Sequence, residues 1–156
     1  MEIGIAKKID YDRIDYRYGN GVFSELKSLY RAYHGHGSEK SDDYYILFGG
    51  KLGPHERSEH LKHNAQALRT IYSVAPHYIY KELDRNLAGM LGCSVSVVRN
   101  WRYGLSEMSA AAMYAIEKAF GMEGEFFLFT SYQKLLLEHL IALTKNIPEL
   151  LSHTKG

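Results

Sequence analysis

Leu87-Ala88-Gly89-Met90-Leu91-Gly92-Cys93-Ser94-Val95-Ser96-Val97-Val98-Arg99-Asn100-Trp101-Arg102-Tyr103-Gly104 is a stretch that two short helices share with a tight turn between them. Leu87 and Leu91 are four apart and Val98 and Trp101 three apart, so each pair falls on one helical face. Ala88 is small where two helices cross closely. Gly92 ends the first helix because it adopts a left-handed conformation without a Cβ penalty. Ser94 then caps the second helix through its hydroxyl, and Gly104 closes it. Val95, Ser96, Arg99, Asn100, Arg102 and Tyr103 are left on the outside of the second helix. Arginine donates two hydrogen bonds to guanine and asparagine pairs with adenine in the major groove, and a helix N-terminus attracts phosphate. The same spacing also suits a helical pair used only for packing or for docking a protein.

The pattern L-A-x-x-L-G-x-S-x-x-x-V-x-x-W-x-x-G, with Ser109 and the helix Ala112 to Gly121 behind it, resembles the Cro/lambda-repressor (XRE-type) helix-turn-helix family. The resemblance covers about residues 87–122 and reaches back to about His60. It implies that Leu87 to Leu91 is the first motif helix and Ser94 to Tyr103 the recognition helix. Val95, Ser96, Arg99 and Asn100 would face base edges. Ser94, Arg102 and Tyr103, with Arg85 and Asn86, would lie along the DNA backbone. The segment Tyr72 to Asp84 is longer than the family's usual link, and Val95 and Val97 stand where base readers often carry Gln, Arg or Lys. From Lys81 to Leu105 four cations (Lys81, Arg85, Arg99, Arg102) face two acids (Glu82, Asp84), a net +2. That is a small footprint for an affinity that phosphate contacts usually dominate.

Outward from this stretch the chain reads as helices. Phe23, Leu26, Leu29, Tyr30 and Tyr33 share a face that should end near Gly35, preceded by a turn at Gly19-Asn20-Gly21. Tyr44 to Phe48 fits a strand or a buried helical turn. Leu61, Ala65, Leu68, Tyr72 and Ala75 form a further face. Pro76 disfavours helix for Ala75 and is suited to open the next helix, whose inward face is Ile79, Leu83, Leu87, Met90 and Leu91. Met108 to Phe120 follows with Ser109 as cap, then a helix from about Ser131 to Asn146, and one more turn is expected in the tail 147–151. Leu135, Leu136, Leu137, Leu140, Ile141 and Leu143 exceed what one face of a surface helix needs. They belong either to the chain's own core or to a homodimer interface, for which Leu136, Leu137, Leu140 and Ile141 are the candidates.

At 156 residues, 46% hydrophobic and 24% charged, with a net charge of +1, the chain has the composition of a small globular domain. It is neither polybasic nor disordered. No run approaches the ~20 apolar residues of a membrane span, and no apolar leader follows Met1, so a cytoplasmic protein is expected. A single cysteine, Cys93, excludes an intrachain disulfide or a CxxC zinc site. It stands as a redox sensor or as a small filler in the turn. His34, His36, His55, His60 and His63 are the candidates for a metal site, but His55-Glu56-Arg57-Ser58-Glu59-His60 lacks the spacing of known zinc motifs. Loop and surface histidines are expected instead, with no metal and no cofactor. No phosphate loop, nucleophile elbow or other catalytic signature is present, so no enzyme is expected.

The expectation is an all-α protein in three parts: a Tyr- and His-rich extension over 1–56, a helix-turn-helix domain over 57–129, and a C-terminal helix over 130–156 that serves dimerisation. The resemblance implies a bacterial or phage regulator that binds duplex DNA as a homodimer and acts as a repressor. The rival is an antitoxin-like or inhibitory protein in which the helix-turn-helix is a scaffold and the Tyr-rich extension captures a protein partner.

Overall fold

The computed structural model describes residues 14–49, 57–73, 79–122 and 126–144, whose regular elements are all helices, with no strand among them. The helices are α1 (Tyr16–His34), α2 (Asp42–Tyr44) running into a π-helical turn (Tyr45–Gly49), α3 (Arg57–Ser73), α4 (Tyr80–Leu91), α5 (Val95–Arg102), α6 (Ala110–Ala119) and α7 (Ser131–Thr144). A single 3₁₀ turn, Ser38–Lys40, links α1 to α2. The expectations at Ala75 and Pro76, at His55, and for the tail after Thr144 lie outside the described residues.

Local chemistry sets the helix ends. Asp15 caps α1 by accepting from Tyr18 N at 3.1 Å, and Gly35 at φ 83° closes it. Ser109 caps α6 by accepting from Ala112 N. Thr130 and Gln133 form a reciprocal capping box for α7: Gln133 N donates to Thr130 Oγ1 and Thr130 N to Gln133 Oε1, each at 3.0 Å. The loop before α7 is clasped by two buried polar side chains. Glu117 accepts from the backbone of Phe126 and Phe127, and Asn64 both accepts from and donates to the backbone of Leu128.

The turn expected at Gly19-Asn20-Gly21 is instead part of α1. A Cβ at Gly19 would stand 2.2 Å from Met90 Sδ and 2.9 Å from the Ala119 Cβ, so the glycine lets α1 cross α4 and α6 at close range. Tyr44 to Phe48 is helical rather than extended. One apolar core runs from Phe23, Leu26 and Tyr30 through Leu68, Ile71, Leu87, Val98 and Trp101 to Ile116, Phe127, Leu137 and Leu140. It joins residues on both sides of the division drawn at residue 56. Leu137 and Leu140, named above for a dimer interface, are 6% and 4% exposed within the single chain. Their burial corresponds to the own-core alternative. Leu136 and Ile141 are half-buried at the edge of the same core, and Leu135 is exposed. Among the described residues no helix is long and apolar enough to cross a membrane.

Candidate nucleic-acid interface

The pair α4–α5 is built by the local signals in its sequence. Gly92 takes the left-handed conformation (φ 65°, ψ 32°), and Cys93 N donates to Ala88 O across the turn. Ser94 is extended and its hydroxyl accepts from Val97 N. Val98 is fully buried and Trp101 nearly so, which fixes the rotation of α5. Gly104 closes the helix at φ 74°.

This rotation exposes Ser94, Ser96, Arg99, Asn100 and Tyr103 together. Val95 is half-buried and packs on the core, as does Val97. On α4 Arg85 is exposed, its Nε donating to Lys81 O at 3.4 Å, while Asn86 is turned to α1 beside the Tyr16 hydroxyl. Burial pushes the Tyr16 hydroxyl above the usual phenol range, and the Glu82 carboxylate adds to the rise.

Arg102 is in a different position from the one its sequence suggested. Its side chain is only 12% exposed, and its Nη2 donates to both carboxylate oxygens of Asp84 at 3.2 and 3.1 Å. Its guanidinium lies 4.4 Å from the centre of the Tyr72 ring. A cation so engaged is withdrawn from any phosphate. Asp84 is itself buried and accepts a third bond from the Tyr72 hydroxyl. Burial raises the Tyr72 pKa strongly, and the bond to Asp84 holds the proton on the phenol. Arg99 is the middle case: its Nε stands 3.5 Å from Asp84 Oδ2, while its side chain is 49% exposed. Asp84 thus steadies the root of the Arg99 guanidinium and leaves its outer edge to solvent.

Tyr72, Asp84 and Arg69 are the residues that motif spacing missed. Arg69 on α3 donates from Nη1 to Arg102 O at 2.8 Å and so ties α3 to the end of α5. One signal was present for Asp84. It shares the helical stripe of Leu87, Ala88 and Leu91, and an acid in an apolar stripe requires a buried partner.

Of the candidate metal ligands, His34, His36 and His63 are exposed and His60 is buried, while His55 lies outside the described residues. Among the described residues no group of three His, Cys, Asp or Glu side chains is placed to hold a metal ion. Cys93 is half-buried, and burial pushes its thiol up, away from the thiolate a redox sensor uses. No protein-family model, no curated protein and no solved structure matches this chain.

Proposed function

We propose that the chain is a sequence-specific duplex-DNA-binding regulator that inserts α5 into the major groove. The observation that carries this reading is the joint exposure of Ser96, Arg99 and Asn100 on one short helix whose N-terminus is capped by Ser94. These side chains have the donors and acceptors that base edges require. Lys81 and Arg85 on α4 are exposed and would supply positive charge for phosphates. The resemblance to the XRE-type family supports the same reading and adds a repressor that acts as a homodimer on an operator.

The test is selection of binding sites from random duplex DNA by the purified chain at about 0.15 M salt, where exposed charges more than ~8 Å apart are largely screened. An enriched inverted repeat is the expected result. Failure to enrich any sequence sinks the reading.

A specific observation favours the rival, a protein-binding module. Tyr103 is 63% exposed and Leu105 72% exposed just after α5, while Arg102 is engaged inside the fold. Large apolar side chains grouped at a surface suit a protein partner better than a phosphate backbone. Leu105→Ser, outside the residues assigned to DNA, should abolish partner capture and leave duplex selection unchanged.

A further inference from the structure

A cleft of about 430 Å³ lies between α1, the π-helical turn and α5. Its apolar lining includes Trp101 and the edge-to-face pair Phe23 and Phe48, and its polar lining is Asn100, Ser106, Glu107 and Ser109, with Cys93 beside them in the lining. That volume falls within the roughly 300–1,000 Å³ of small-molecule sites, and aromatic walls with a few placed polar groups are their usual lining. Two further features point the same way. The π-helical turn Tyr45–Gly49 contributes both Phe48 and Gly49 to the wall, and single π turns inside helical segments recur at functional sites. Asn100, exposed on α5 among the proposed base readers, also lines the cleft.

We infer that this cleft is an effector site for a small planar aromatic molecule carrying an amide, whose rings lie among Phe23, Phe48 and Trp101 and whose amide bonds Asn100 and Ser106. The effector role rests on the DNA-binding reading; occupancy of the cleft does not. A ligand bonded to Asn100 takes that side chain away from adenine, so occupancy weakens duplex binding. Coupling of this kind requires only that free and DNA-bound chains differ in affinity for the ligand.

Trp101 and Cys93 are the chain's single tryptophan and single cysteine, and both line the cleft, so each reports on it without ambiguity. The probe is 2-naphthamide, added to the full chain. Occupancy is read without DNA, from the Trp101 indole N–H resonance and from the rate of Cys93 alkylation by N-ethylmaleimide at mildly alkaline pH. The expected result is a saturable shift of the indole signal, with alkylation slowed about tenfold at ten times the Kd, as mass action requires. 2-Ethylnaphthalene, which lacks the amide, should bind about thirtyfold more weakly, the value of two neutral hydrogen bonds. Ser106→Phe, which adds a ring to the lining of the cleft, should abolish both signals; Phe48→Leu replaces it if that chain does not fold. No saturable shift with 2-naphthamide up to about 1 mM, a Kd bound of roughly −4 kcal/mol, overturns the site. A shift that survives Ser106→Phe or Phe48→Leu also overturns it, because the probe then sits elsewhere.

The effector role is read separately, on the duplex enriched by selection. A loss of affinity of at least fivefold at saturating 2-naphthamide supports it, and unchanged affinity with an occupied cleft overturns it. If no duplex is enriched, the DNA reading has failed, and the occupancy measurements still decide the cleft.

Discussion

Arg99 and Arg102 are three residues apart on α5 and both reach Asp84, yet alanine has different consequences at each. Arg99 is half exposed, and under the proposed DNA-binding function its loss removes a base donor. Arg99→Ala should weaken binding to the selected duplex by about 1–3 kcal/mol and relax preference at one base pair. Titration of both chains against the site and its single-base variants measures this. Unchanged affinity would remove α5 from the interface. Arg102→Ala acts on folding instead, because Asp84 is then left buried with one cation fewer. Breaking such a pair costs about 3–5 kcal/mol when both partners are deeply buried. Here Arg102 leaves its Nε without an acceptor and Tyr72 still serves Asp84, so about 2–3 kcal/mol is expected from urea denaturation. Tyr72 adds a pH signature. Its pKa is raised from 10.0, chiefly by burial and then by Asp84. Below pH 10 both folded and unfolded chains keep the phenol proton, and its stabilisation is fully present. Above that pH the unfolded chain releases the proton while the folded chain holds it, so stability falls by up to about 1.4 kcal/mol per pH unit. Tyr72→Phe should flatten this alkaline limb, and an identical slope in both chains would show that the phenol proton is not what the fold retains.

At the scale of the element, α1 carries the same residue type under two opposite demands. Gly19 is buried at the crossing with α4 and α6, and Gly21 faces solvent with nothing within 4 Å of where its Cβ would be. Gly19→Ala drives a methyl into Met90 and Ala119. Met90 is flexible at its end, but the Ala119 Cβ is fixed to its helix, so a cost of about 1–3 kcal/mol follows. Gly21→Ala removes backbone freedom from the unfolded chain at no steric cost and should stabilise by about 0.5–1 kcal/mol. Urea midpoints of the two variants should move in opposite directions; movement in the same direction would refute the close crossing. The pair also shows what a sequence makes legible. Gly92, Ser94, Ser109 and Gly104 were readable because a cap is a local contract between a residue and the backbone within four positions. Gly19 read as a turn because the reason for it, Met90 and Ala119, lies about seventy and one hundred residues away. The leucines of α7 were readable as apolar, but a stripe does not name its partner. Leu137 and Leu140 meet the chain's own core.

At the scale of the whole molecule, the exposed face of α5 was legible because burying Val98 and Trp101 leaves few rotations for an eight-residue helix. The internal engagement of Arg102 was not, since Tyr72 and Asp84 come from two other helices. The larger question is whether residues before 56 form a module of their own. Composition divides the chain there, with aromatic residues in front and aliphatic residues behind. Packing does not, because α1 lies against α4, α6 and α7 and the core passes through all of them. A core without an internal seam has no place at which to come apart first. Trp101 sits on α5 and reports on that helix and on the cleft it shares with Phe23 and Phe48, whereas far-UV circular dichroism reports on all helices, α1 included. The two signals should therefore trace one coincident transition in urea. They should also shift together when the core is weakened from the front, for example by Leu26→Ala. That side chain is 2% exposed on α1, and its truncation is expected to cost about 2–5 kcal/mol. Two transitions with separate midpoints would mean that the front segment melts alone. The division read from composition would then be the physical one.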